Sequence, residues 1–243
     1  MSGVPLRVMS YNVHGLKDDR AALVRLIRDL APDVLVVQEA PRRFRWRYKC
    51  AALADDTGLV VAAGGLPSLG NLILVSLRVA VRETWCMRYP LTPGRHLRGA
   101  AFARGSVRGT AFTVSGSHLA TDPAERPAQA ARWKDALAVL DGPVIAAADL
   151  NEGPGGGAWR TVSDGLVSSS TPPTFPATLP ARLIDGIFVS PDVTIEKYEV
   201  VESDLARRAS DHLPVVADLS LTPPAPLSSA DGRHLAGGDR PSS

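Results

Sequence analysis

The sequence predicts a mixed α/β fold, because a strand, helix, strand order near the start gives way to paired strands and then returns to helix followed by strand. The first strand lies at Arg7 to Tyr11. The helix after it is capped by Asp18 or Asp19, places Leu23, Leu26, Ile27 and Leu30 on one face, and stops before Pro32. Val34 to Val37 forms the next buried strand. Leu97 to His118 reads as two strands joined near Val107-Arg108-Gly109-Thr110, with Ala111 to Ser115 in the second. A second helix opens at Asp122-Pro123 or at Pro127, since proline is tolerated in a first turn, and Trp133, Leu137 and Leu140 line its buried side. Val144 to Ala148 is again a strand, and a third, short helix includes Trp159 to Val162. Ile187-Phe188-Val189 and Val215-Val216-Ala217 are the last strands read here.

Composition bounds the rest. With 45% hydrophobic and 21% charged residues the chain is ordinary for a globular protein, and 20 prolines with 21 glycines point to many turns. One domain over residues 1–221 is expected, followed by a mobile tail over 222–243, where Pro, Ser, Gly and Asp leave too little apolar surface to offset chain entropy. A net charge of +2 is too mild to claim a nucleic-acid partner. Cys50 and Cys86 are too few for a disulfide framework and lack metal spacing. The first residues carry no basic patch with an apolar stretch, and no apolar run approaches the roughly 18 residues of a membrane span. The expectation is therefore a cytoplasmic protein without membrane contact, monomeric by default.

Six polar clusters sit at the edges of these apolar runs: Tyr11-Asn12, Gln38-Glu39, Ser117-His118, Asp149-Leu150-Asn151, Ile184-Asp185 and Ser210-Asp211-His212. In the first four the polar group comes where the strand exits. In the last two it precedes the strand. If the late strands run antiparallel to the early ones, all six clusters meet on one rim. Asp149 and Asn151, two residues apart, project to the same side if extended; the alternative is a turn with Asx bonding.

Taken in this order, the six clusters resemble the endonuclease/exonuclease/phosphatase superfamily of DNase I-like metal-dependent phosphoesterases, over roughly Leu6 to Leu221. The resemblance implies a four-layer α/β/β/α sandwich, two packed mixed sheets flanked by helices. It implies that Asn12, Glu39 and Asp211 belong at a divalent cation, Mg²⁺ or Mn²⁺, for which a hard oxygen ligand such as Glu39 is suited. Asp149 would activate or align the attacking water, Asn151 would contact phosphate, and Asn12 would orient a ligand or the phosphate. His212 and Asp185 read as a pair in which the carboxylate fixes the imidazole tautomer, with His118 across the phosphate as donor to an oxygen or to the leaving group. Asn71 is expected to support Glu39 from a flanking strand. Arg98 either reaches an anionic substrate or is an ordinary strand arginine. Two departures stand out: Ala148 where the family has glycine in Gly-Asp-x-Asn, and Gly186 where Arg-Ile-Asp-Tyr has tyrosine, with Arg182 one place early.

The expected activity is hydrolysis of a phosphoester, first as a phosphodiesterase or nuclease. A phosphatase for a soluble phosphorylated small molecule and a non-catalytic phosphate-binding module are the alternatives. Arg42-Arg43-Phe44-Arg45-Trp46-Arg47-Tyr48-Lys49 either holds phosphates and stacks bases, or is a helix with Phe44 and Tyr48 packed inward. Gly153-Pro154-Gly155-Gly156-Gly157 lacks the Gly-Lys-Ser/Thr ending of a P-loop and reads as a flexible connection.

Overall fold

A computed structural model describes residues 3–169 and 171–223. One six-stranded sheet has the order β10 (Val193–Val200), β11 (Val215–Leu221), β1 (Val4–Asn12), β2 (Val34–Gln38), β4 (Asn71–Val75), β3 (Val60–Gly65). The other, five-stranded, runs β5 (Val79–Arg88), β6 (Gly99–Val107), β7 (Thr110–His118), β8 (Val144–Asp149), β9 (Asp185–Val189). In both, a parallel pair, β1 with β2 and β7 with β8, sits among antiparallel neighbours. Against the first sheet lie α1 (Arg20–Leu30), α2 (Trp46–Thr57) and α5 (Asp204–Ala209); against the second lie α3 (Arg126–Ala138) and α4 (Gly157–Ser163).

Period-two alternation builds these layers. On β2, Val34 and Val36 enter the core between the sheets, whereas Leu35 and Val37 face the helices. On β8, Ile145 and Ala147 face the other sheet, and Val144, Ala146 and Ala148 meet α3 and α4. The result is the α/β/β/α sandwich. As the reversed order of the late clusters requires, β9 runs antiparallel to β8 and β11 antiparallel to β1.

The first helix forms as read. Asp19 accepts from Ala22 N at 3.0 Å, a cap of about 1 kcal/mol, and Leu23, Leu26 and Ile27 are buried at roughly 1.5–3 kcal/mol each. The basic segment needs correction. Arg45 takes a left-handed φ of 56° and the helix starts only at Trp46, so Phe44 and Tyr48 never form an inward pair. They are 84% and 64% exposed. The inner face instead runs through Cys50, Leu53, Ala54 and Thr57, with Trp46 half-buried above Gly65, where a Cβ would meet its ring at 2.5 Å. At the second helix Pro127 occupies the first turn, and Leu140 lies past its end.

Both cysteines are free thiols. Among the described residues no helix is long and apolar enough to cross a membrane. The tail expected over 222–243 lies, beyond Pro223, outside the described residues.

At Gly116 of β7, a Cβ would sit 2.4 Å from Val36 Cγ1 across the inter-sheet core. Gly116→Val should therefore destabilise the fold by about 1–3 kcal/mol through overpacking, read as a lower urea midpoint at unchanged m-value. An unchanged midpoint would show that the two sheets do not meet there.

Candidate active site

The inter-sheet core ends in polar groups. On β1, Asn12 keeps the inward side of Val8; on β7, His118 continues from Val114; on β8, Asp149 continues from Ile145 and Ala147; on β9, Asp185 stands two residues before Ile187. In the ladder His118 lies opposite Asp149, and Asp149 opposite Asp185. Each of these side chains, with His212 from the loop before β11, is at most 5% exposed.

Asp149 is the centre. Its Oδ2 accepts from Asn12 Nδ2 at 2.9 Å and lies 3.3 Å from His118 Nε2 and 3.8 Å from His212 Nε2; its Oδ1 accepts from Asn151 N at 2.9 Å. That last contact is an Asx turn. Asn151 has a left-handed φ of 51°, so the extended, same-side geometry is replaced by the turn alternative, yet its amide still reaches the centre, 2.9 Å from His118 Nε2.

The two histidines differ in charge. For His212 burial favours the neutral form, but Asp185, which accepts from Nδ1 at 2.9 Å, together with Asp149 and Asp211, outweighs it and raises the pKa to about 9. For His118 burial dominates and, with Arg98 overhead, lowers the pKa to about 3 despite Asp149. Arg98 Nη1 is an obligatory donor 3.1 Å from His118 Nδ1, so the proton of neutral His118 resides on Nε2. Arg98 itself is 8% exposed. It acts on the site through His118 while also lining the cleft beside Glu39.

Glu39 leaves β2 through a left-handed φ of 55°; alternation would have put Gln38 inward, and Gln38 indeed is buried and donates to Ser10 Oγ at 3.1 Å. The Glu39 carboxylate faces a cleft of about 520 Å³ and makes no hydrogen bond or ion pair among the described residues. Asp211 groups with His14 and Asp18, one ligating atom of each lying within 4.8 Å of the others, as do those of Asp149, Asp185 and His212. Asn71 makes no hydrogen bond to Glu39 among the described residues. Its NH₂ ties the sheets together, donating to Ser68 O and Gly99 O at 2.8 Å each.

Sequence reading missed Thr174 and Phe175. Thr174 Oγ1 donates to Asp185 Oδ2 at 2.6 Å, and the Phe175 ring lies 4.7 Å from the His212 ring. They belong to a Pro- and Thr-rich stretch with no strand or helix period to mark them. Arg182 Nη2 donates to Asn151 O at 3.3 Å. The glycine-rich segment turns tightly, Gly156 N donating to Gly153 O at 2.9 Å, while Glu152 Oε1 accepts from Ala158 N at 2.7 Å at the start of α4.

The two departures at Ala148 and Gly186 are cross-strand partners. Ala148 points toward α3 and α4, and a Cβ on Gly186 would meet Phe188 and Trp159 at 3.1 Å. The methyl present on one strand thus lies beside the side chain absent from the next, with the Trp159 and Phe188 edge-to-face pair filling the space.

A family model described as the Endonuclease/Exonuclease/phosphatase family matches residues 9–212. The fold is similar to that of an endonuclease/exonuclease/phosphatase from Bacteroides vulgatus, with 17% identity, a TM-score of 0.75, and coverage of 90% of this chain and 100% of that one. It is similar to D. rerio TDP2 complexed with single strand DNA product (21%, 0.72, 89% and 99%) and to a mannosyl-6-phosphatase of Bacteroides thetaiotaomicron (18%, 0.73, 89% and 100%). No curated protein matches the chain.

Side-chain ¹⁵N spectra of the metal-free protein should show His212 as imidazolium at neutral pH, deprotonating near pH 9, and His118 as a neutral Nε2–H ring down to about pH 4. In stability terms His212, raised above its unfolded value of about 6.5, contributes fully below that pH and loses the contribution as pH rises toward 9. His118 contributes above about pH 6.5 and loses it as pH falls toward 3. Two rings titrating together near 6.5 would contradict the network.

Proposed function

The chain belongs to the endonuclease/exonuclease/phosphatase family, whose members are phosphoester hydrolases, and on that premise we propose that it is a divalent-metal-dependent phosphodiesterase of nuclease type, with its catalytic unit in residues 1–221. One observation carries the reading: the buried Asp149 carboxylate, met by the Asn12 amide and the Asn151 backbone, lies 3.3 Å from the His118 ring and 3.8 Å from the His212 ring, two buried imidazoles whose different partners push their proton affinities in opposite directions. A site of this kind can accept a proton at one point and give one up at another.

Asp149 accepts the hydrogen bond of the attacking water and takes its proton as the oxygen bonds to phosphorus. His212 carries the proton available to the departing oxygen, because its Nδ1 is held by Asp185 while its Nε2, 3.8 Å from Asp149, is not committed to a hydrogen bond there. Neutral His118 serves as a hydrogen-bond donor. Its Nε2–H, 3.3 Å from Asp149 Oδ2, and the Asn151 NH₂, which also donates to Leu119 O at 3.0 Å, lie 2.9 Å apart, two donors that a phosphoryl oxygen would draw on together.

The family is metal-dependent, and the chain's donors fit Mg²⁺ or Mn²⁺ at Glu39, Asn12 and Asp211: each offers oxygen, and the Glu39 carboxylate is unpaired among the described residues. Bound there, the ion would neutralise charge on the phosphoryl oxygens. The group of Asp149, Asp185 and His212 fits a metal less well, because its atoms are already committed to hydrogen bonds: Asp185 to His212 Nδ1 and Thr174, and Asp149 to Asn12 and the Asn151 backbone. A phosphatase acting on a soluble phosphorylated small molecule is the second reading, favoured by a cleft of about 520 Å³, the size of a small ligand site.

Hydrolysis of bis-p-nitrophenyl phosphate, single-stranded DNA, RNA and p-nitrophenyl phosphate with Mg²⁺, Mn²⁺ or EDTA separates these readings. Diesters cleaved and EDTA-sensitive are expected; cleavage of the monoester alone points to the phosphatase, and binding without turnover to a non-catalytic module. Glu39→Gln should raise the metal concentration needed for half activity, and an unchanged metal titration would remove Glu39 from the ion. His212→Ala should lower kcat about 10²- to 10⁴-fold in a folded protein, and a near-normal kcat would reject its role.

A further inference from the structure

Of the two alternatives for the segment Arg42 to Lys49, a nucleic-acid grip and a packed helix, the inward-packed pair does not occur. The segment's exposed aromatics, Phe44 and Tyr48, are the chain neighbours of Arg43 and Lys49, which line the cleft that contains Glu39. That cleft is lined by Lys17, Arg42, Arg43, Lys49 and Arg98 against the one carboxylate, Glu39. None of these five cations makes an ion pair among the described residues, whereas elsewhere arginines are paired, as in Arg7 with Asp218, Arg20 with Asp56 and Arg208 with Asp19. An unneutralised positive wall beside a phosphoester site focuses anions into it. Arg42 is anchored by Nη1 to the carbonyls of Leu69 and Leu97, which holds its position without cancelling its charge.

The aromatics give the second half of the pattern. Phe44 directly follows Arg43 and is 84% exposed; Tyr48 directly precedes Lys49 and is 64% exposed, with Arg45 stacked over its ring at 4.7 Å. A phenylalanine at that exposure gains nothing from folding. It is placed to offer a ring face to an unpaired base, which stacks on aromatic and guanidinium planes regardless of its sequence. A phosphosugar offers no π-face, and in a duplex the base faces are already stacked.

Resting on the phosphodiesterase reading, we propose that this cleft and its rim form a subsite for single-stranded nucleic acid, in which Lys17, Arg43 and Lys49 hold phosphates flanking the scissile one and Phe44 and Tyr48 stack a neighbouring base. The substrate class of the site is accordingly an oligonucleotide without secondary structure.

Fluorescence anisotropy of a labelled dT10 strand with the full chain in EDTA, where turnover is stopped, tests this apart from catalysis. The single strand should bind about tenfold or more tightly than a duplex of the same length. Phe44→Ala combined with Tyr48→Ala should weaken dT10 binding by about tenfold or more at an unchanged thermal midpoint, as surface substitutions permit. Arg43→Ala should make the salt dependence shallower, by about 0.7 in log K against log salt for a lost phosphate contact. Equal binding of single strand and duplex, or an aromatic double variant that binds like the wild type, overturns the proposal. Absence of dT10 binding by a protein that hydrolyses bis-p-nitrophenyl phosphate overturns the subsite and leaves the phosphodiesterase standing. Binding without hydrolysis of any ester does the reverse.

Discussion

Everything in this molecule depends on two sheets packing face to face in strict alternation. Val8, Val34, Ile145, Ile187 and their neighbours bury one side of each strand against the other sheet. The same alternation, carried to the strand ends, delivers Asn12, His118, Asp149 and Asp185 to the same interior side, where apolar packing gives way to hydrogen bonds. The site is therefore an extension of the core. Its carboxylates and imidazoles are desolvated because the sheets that hold them are; burial lowers the proton affinity of both histidines, and what separates them is the partner each meets, Asp185 at His212 and Arg98 at His118.

Asp149 shows how such a charge is tolerated in the interior. A buried carboxylate is costly unless each lone pair is met. Here the Asn12 amide, the Asn151 backbone and the His118 ring converge on it, and Asp185 is held through Oδ2 by Thr174 and His212, its buried Oδ1 meeting no partner among the described residues. Arg98, which the sequence left open between substrate contact and ordinary strand residue, sets the tautomer of His118 from behind. A residue of this sort orders the ring it bonds while its other side forms part of the cleft wall beside Glu39.

The layers and the convergence of the clusters were legible because both follow from periodicity: runs such as Val34 to Val37, and the inversion of cluster and strand at Asp185 and Asp211, fix sides and directions before any contact is known. What was not legible lies where the backbone leaves its period. Glu39 and Asn151 reach their places through left-handed turns at strand ends, which no side-chain pattern announces for residues other than glycine. The inner face of the helix from Trp46 was misjudged for the same reason, since its start depends on the turn at Arg45. Thr174 and Phe175 were invisible because a loop has no period at all.

Cross-strand placement of Ala148 and Gly186 bears on how lineages with blurred signatures are judged. Scored one column at a time, each looks like erosion of a motif, and two erosions beside the buried Asp149 and Asp185 look like a retired enzyme. Viewed across the ladder they share one packing site, the methyl of Ala148 on one strand facing the bare backbone of Gly186 on the next, beside Phe188 and Trp159. Because the two positions pack against each other, the unit in which such departures are weighed is the pair and not the single column.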